Sequence, residues 1–189
     1  MSPKPLPESI EQINDPDRPH VFRYWIDRCR GAYRFVFPDM EEASFTAPSI
    51  DDGLARLERQ VVDCLSERLR TLGPRKPFEV PYGRPRAGEG ECMLPLALDL
   101  KLQFICCCRT FGISASELSR RLKITPQEAQ RFLKLSNVTK LDPLRRAFRA
   151  IGLDIAFSLT PVRLPPNLPP APGIPEPPDP TVPHGMDVI

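Results

Sequence analysis

Ser114-Ala-Ser-Glu-Leu-Ser-Arg-Arg-Leu-Lys-Ile-Thr-Pro-Gln-Glu-Ala-Gln-Arg-Phe-Leu-Lys-Leu135 decides the reading of this chain, because it holds two helix starts in quick succession. Ser114 with Glu117 has the form of a capping box. Thr125 with Glu128 repeats it, with Pro126 at the first helical position. Each cap offers oxygen acceptors to amides that a helix start leaves unpaired, typically worth ~1 kcal/mol. Leu118 and Leu122 share one face of the first helix, and Ala129, Phe132 and Leu133 line the second. The Lys123-Ile124 turn is short, so the two helices must cross and pack as a helix-turn-helix.

That crossing leaves Gln127, Gln130, Arg131 and Lys134 on the free face of the second helix. Gln and Arg near the start of a recognition helix pair bidentately with adenine and guanine edges in the major groove. Gln127 and Arg131 are the expected base contacts, Gln130 and Lys134 the groove-edge contacts, and Arg120, Arg121 and Lys140 the phosphate contacts. An ordinary pair of capped surface helices is the plainer alternative. The charge distribution favours DNA, because residues 101–163 carry 12 Lys and Arg against 4 Asp and Glu, whereas residues 1–100 carry 14 against 17. The overall charge of +2 thus conceals two halves of opposite sign.

Working outward, Pro95 opens a run with Leu98, Leu102, Ile105 and Cys108 on one helical face, ending at Gly112. Leu96, Leu98, Leu100 and Leu102 also alternate as in a strand, and the length of the run selects helix. Asp142-Pro143 starts a last helix bearing Leu144, Ala147, Phe148 and Ile151, stopped by Gly152. Leu153, Ile155, Phe157 and Leu159 then alternate as a half-buried strand, whose partner is either a second copy of the chain or the sheet of the first half.

In the first half, Val21 to Ile26 and Ala32 to Phe37 read as a hairpin, Pro38 ends it, and Ala43 to Ala47 forms a third short strand. Ser49 with Asp52 caps a long helix whose stripe is Ile50, Leu54, Leu57, Val61, Leu65, Leu69 and Leu72, stopped by Gly73-Pro74. Glu91 to Leu94 supplies a last edge strand. The expected organisation is α+β: a Pro-rich disordered leader over residues 1–20, a β-β-β-α-β domain over 21–94, an all-α helix-turn-helix domain with a terminal strand over 95–160, and a disordered tail over 161–189. That tail holds 11 prolines in 29 positions.

With 41% apolar residues, 189 positions suffice for one or two cores. No apolar run approaches the roughly 20 residues of a membrane span, and the N-terminus lacks a secretion-signal layout, so a cytoplasmic protein is expected. Cys29, Cys64, Cys92 and the run Cys106 to Cys108 form no metal or disulfide framework and read as buried reduced thiols. His20 and His184 fall in the leader and the tail, away from any site. Asp39, Glu41, Glu42, Asp51 and Asp52 lie in a turn and at a helix start, where solvation and favourable placement at the helix dipole account for them better than catalysis does. No enzyme, no cofactor and no metal is expected.

Taken together, Phe35-Val36-Phe37-Pro38-Asp39, the Phe45-Thr46 strand, the helix from Ser49, Ser116 to Ile124, Gln130 to Leu133 and Thr139 to Asp142 resemble the HicB family of type II antitoxins over roughly residues 21–160. The resemblance implies an N-terminal domain of partial RNase-H-like fold that binds a HicA-like, mRNA-cleaving toxin. It also implies a C-terminal domain, here an Xre/Cro-like helix-turn-helix, that represses its own operon, with assembly into dimers or tetramers. On this reading Phe37, Asp39, Glu41 and Glu42 face the toxin, opposite charge speeding the encounter with a basic RNA-binding protein. The rivals are a stand-alone transcriptional regulator whose first domain dimerises or senses a ligand, and an adaptor that has lost DNA.

Overall fold

The computed structural model describes residues 20–156 apart from 74, 75, 82, 84 and 138; the expected leader, most of the terminal strand, the Pro-rich tail and His184 lie outside the described residues. Within these, β1 (Val21–Cys29) and β2 (Ala32–Val36) form the expected hairpin, with Asp27 opposite Arg34 and Ile26 opposite Phe35. Arg30 and Gly31 turn it with positive φ at both positions, the geometry that suits a two-residue hairpin. A 3₁₀ turn over Glu41–Ala43 precedes β3 (Phe45–Ala47), which pairs with β2. After α1 (Ile50–Leu72), the chain returns as β4 (Gly90–Met93) along β1, giving an antiparallel sheet of order β3-β2-β1-β4.

Helix α1 starts where its sequence says, the Asp52 amide donating to Ser49 Oγ at 3.1 Å. Its buried stripe is narrower than expected. Leu57, Val61, Leu65 and Leu69 are buried, joined by Gly53 and Cys64, whereas Ile50, Leu54 and Leu72 are exposed. At the start of the helix the reason is Gly53: the helix comes so close to the sheet there that a Cβ would stand 1.9 Å from Phe35 Cε2. Phe35 stacks on Phe45 at 5.0 Å between ring centres, and the Arg56 guanidinium lies 5.0 Å over the Phe45 ring. The first turn therefore presses its glycine, rather than Ile50 and Leu54, onto the aromatic layer.

Helix α2 (Leu96–Thr110) resolves the strand-or-helix ambiguity in favour of helix, and it is buried nearly all round. Leu102, Ile105 and Cys106 join the core under the sheet, while Leu100, Phe104 and Cys108 join a second core with α3 (Ala115–Leu122), α4 (Pro126–Phe132) and α5 (Leu141–Ala150). A helix apolar on every face needs partners on every face, which explains why its Leu pattern carried two readings. Even its polar residues are buried. Asp99 accepts from the His20 backbone amide at 3.2 Å and from Gln103 Nε2 at 3.0 Å, and His20 Nδ1 lies 2.5 Å from it. His20, expected in a mobile leader, is instead fixed in the core at the entrance to β1. Lys101, 0% exposed, donates from Nζ to the Asn137 carbonyl and to Thr139 Oγ1 at 2.8 Å.

The segment Leu153–Ala156 is not a strand; Asp154 accepts from Arg145 Nε at 3.0 Å and Arg149 Nη2 at 3.0 Å, folding the segment back on α5. Cys64, Cys92, Cys106 and Cys108 are buried free thiols, with burial pushing Cys106 up to about 12; Cys29 is exposed at the hairpin tip. Among the described residues no helix is long and apolar enough to cross a membrane.

Two consequences are measurable. Gly→Ala within a helix ordinarily stabilises, but Gly53→Ala should lower the urea-unfolding free energy by ~1–3 kcal/mol because the new methyl displaces the Phe35 ring; an unchanged or raised midpoint would refute the close approach. Burial lowers the Lys101 ammonium from 10.5 to about 8, so between those values the unfolded chain holds this proton more tightly than the folded one. The contribution of Lys101 to stability therefore rises with pH through that window and is least favourable below it. The stability difference between the native chain and Lys101→Met should shift in favour of the native chain from pH 8 to pH 10.5; a difference flat in pH would show that the amine is not buried.

Candidate nucleic-acid interface

The geometry of the helix-turn-helix follows from its caps. Thr125 and Glu128 form the full reciprocal box: the Glu128 amide donates to Thr125 Oγ1 at 3.2 Å, and the Thr125 amide donates to the Glu128 carboxylate at 2.9 Å. This pairing holds the Glu128 carboxyl below its ordinary range. Ser114 provides only half of the expected box, accepting from the Glu117 amide at 3.2 Å. The Glu117 carboxylate turns the other way, to Arg121 Nε at 2.7 Å and to Arg120. Between the helices Lys123 sits in the left-handed region at φ 55°, a conformation that favours Gly. The turn is braced nonetheless, because Ser119 Oγ donates to the Ile124 carbonyl at 2.6 Å and the Ile124 amide donates to the Ser119 carbonyl at 3.1 Å.

Leu118 and Ala129 are both fully buried where α3 and α4 pack, and Ala129 is small enough to let the helices approach closely. Opposite this contact, Gln127, Gln130 and Arg131 are exposed on α4, their side chains making no hydrogen bond or ion pair among the described residues. The short helix therefore presents two amides and a guanidinium on a backbone fixed at its start.

The other nominated residues are distributed differently. Helix α4 ends at Phe132, so Lys134 lies beyond it and lines a cavity against α1 instead of riding on the free face. Arg121 is committed within the fold, since Nη1 also donates to the Ala150 carbonyl of α5 at 3.2 Å. Arg120 is exposed beside Glu117, and Lys140 is exposed at the N-cap of α5. Arg146, exposed on α5 without an ion pair, adds a cation that the sequence reading passed over. Its signal was present in the i, i+1 and i+4 spacing of Arg145, Arg146 and Arg149, but only the Asp154 contacts show which of the three remains unpaired.

On the sheet side, Phe37 is 1% exposed, so it supports the surface from beneath and offers no side chain to a partner. Asp39 is gripped by Arg23, Nε to Oδ2 at 2.7 Å and Nη2 to Oδ1 at 2.9 Å, which holds its carboxyl below the ordinary range. A Cβ at Gly83 would stand 2.6 Å from that carboxylate, so the segment entering β4 runs directly over this pair. The Arg68 guanidinium holds Glu42 down to about 2. Glu41 alone of the three is exposed without an ion pair. The turn expected to be freely solvated is thus partly neutralised. Asp51 and Asp52 lie in the first turn of α1. Among the described residues no three His, Cys, Asp or Glu side chains converge as metal ligands.

No family model matches the chain. Among curated proteins it is similar to Antitoxin HicB 2 of Photorhabdus laumondii, being 27% identical over 117 residues that span 62% of this chain and 80% of that protein. The motifs quoted from the sequence and this distant similarity point to the same family name.

Proposed function

We propose that the chain is the antitoxin of a type II toxin-antitoxin system, in which residues 21–94 cover a HicA-like, mRNA-cleaving toxin and residues 95–160 bind the promoter of their own operon. The observation that carries the DNA-binding half is α4 with its reciprocal N-terminal box, the side chains of Gln127, Gln130 and Arg131 exposed without a partner among the described residues beside a strongly basic sequence. The similarity to a HicB antitoxin supports the other half. Both targets, messenger RNA nucleases and DNA, place the action in the cytoplasm.

In this reading Gln127 and Arg131 contact bases, Gln130 the groove edge, and Arg120, Lys140 and Arg146 the phosphates. Lys134 reaches DNA only by extending from the segment after α4, and Arg121 serves chiefly to fasten α3 to α5. A single helix-turn-helix covers one half-site, so the chain acts as a homodimer or tetramer on a two-fold symmetric operator. The toxin surface centres on Glu41, with Asp39 and Glu42 presenting carboxylates already paired to Arg23 and Arg68. A charged rim of this kind speeds encounter with a basic partner, and apolar contacts then slow release. The chain acts by covering and by binding, not by chemistry.

The test is binding to the chain's own promoter DNA, followed by fluorescence anisotropy over a series of salt concentrations. Affinity should fall steeply with salt. Arg131→Ala should cost ~1–3 kcal/mol and relax sequence preference, while Arg120→Ala should weaken all sequences alike and lower the salt slope by about one. Unchanged affinity and preference in Arg131→Ala would refute the assignment of α4 as the recognition helix.

A further inference from the structure

The segment that follows α4 walls a cavity of about 380 Å³ together with α1 and the end of α2, and nothing in the reading above uses it. Its rim carries three cations, Arg70, Arg109 and Lys134, and its lining includes no Asp or Glu. Leu69, Leu133 and Leu135 supply apolar surface beneath them. Ser66 of α1 also lines it, although its Oγ is sealed from solvent and so is not a donor to the open cavity.

The cations differ in what they have free. Arg109 is anchored, donating from Nη2 to the Leu69 carbonyl at 2.6 Å and from Nη1 to the Lys76 carbonyl at 3.2 Å, so its charge is fixed at the wall. Burial lowers this guanidinium against its ordinary value, as expected for a cation that has lost water without gaining a carboxylate. Arg70 is shared with Glu67 on its own helix. The Lys134 ammonium has no partner among the described residues and is exposed, free to swing over the opening. The second cavity on α1, lined by Glu42, Asp63, Glu67 and Arg68, offers no such excess because Glu42 already neutralises its cation.

We propose that the cavity between α1 and the segment after α4 binds a small organic anion, a carboxylate carried on a short apolar chain. The chain lies on the three leucines, and the carboxylate takes the Arg109 and Lys134 charges. This site is independent of what α4 contacts, and its test does not involve DNA or a toxin.

The experiment is a titration of the isotope-labelled full chain with hexanoate, followed by amide NMR, in parallel with hexan-1-ol and with inorganic phosphate. Saturable shifts centred on Ser66, Arg109 and Leu135 are expected with hexanoate, together with binding about fivefold weaker in Lys134→Met, the loss of one charge-assisted contact at an exposed position. Lys134→Glu should weaken hexanoate further than Lys134→Met without lowering stability, since the side chain it replaces is exposed. Equal binding of hexan-1-ol would overturn the requirement for charge, and equal binding of phosphate would overturn the requirement for an apolar chain. Absence of saturable shifts, or an affinity untouched in both variants, would overturn the site itself.

Discussion

Helix α2 is the constraint on which the rest of the structure depends, because it belongs to two cores at once. Leu102, Ile105 and Cys106 close the sheet and α1 from one side, while Leu100, Phe104 and Cys108 receive α3, α4 and α5 from the other. Neither core can be completed without it. Its two buried charged residues extend this role, Asp99 fixing the chain at His20 where β1 begins, and Lys101 fixing the turn between α4 and α5 at Asn137 and Thr139. Hydrogen bonds to charged groups in a dry interior contribute strongly and are costly to break, so these ties define one arrangement of the flanking segments.

The same helix sets where the basic surface lies. Leu135 belongs to the core under the sheet, three residues beyond the end of α4, so the segment after α4 is held between Leu135 and Lys101. Arg121 fastens the other side by reaching the Ala150 carbonyl of α5. What remains unfastened is the face of α4 with Gln127, Gln130 and Arg131. A rigid helix carrying mobile polar tips is the arrangement that nucleic-acid readout requires, since the backbone sets register and the side chains then select.

The elements legible in the sequence were those whose causes lie a few residues apart. The Thr125–Glu128 box, the Ser49 cap, the hairpin and the stop at Gly73 all rest on neighbours in the chain, and each was read close to where it stands. The misreadings involve distant partners. His20 meets Asp99 79 positions away, Asp39 meets Arg23 at 16, and Glu42 meets Arg68 at 26. Nothing in a local pattern distinguishes a solvated acid from a paired one. Phe37 shows the same limit, because a strand-end aromatic next to Pro38 is equally suited to a surface or a core, and only the packing of the sheet on α1 buries it. Ser114 and Glu117 are the local exception: they had the form of a full box, and Arg120 and Arg121, three and four residues further along α3, draw the Glu117 carboxylate away.

The account stands or falls on whether this surface serves a toxin. The direct measurement is co-expression of the tagged chain with the small reading frame beside it, scored both for co-purification and for growth when that frame is expressed alone. The account predicts a small basic protein that stops growth alone, is harmless beside this chain, and leaves the column with it. A neighbour that neither binds nor arrests growth would contradict the antitoxin assignment.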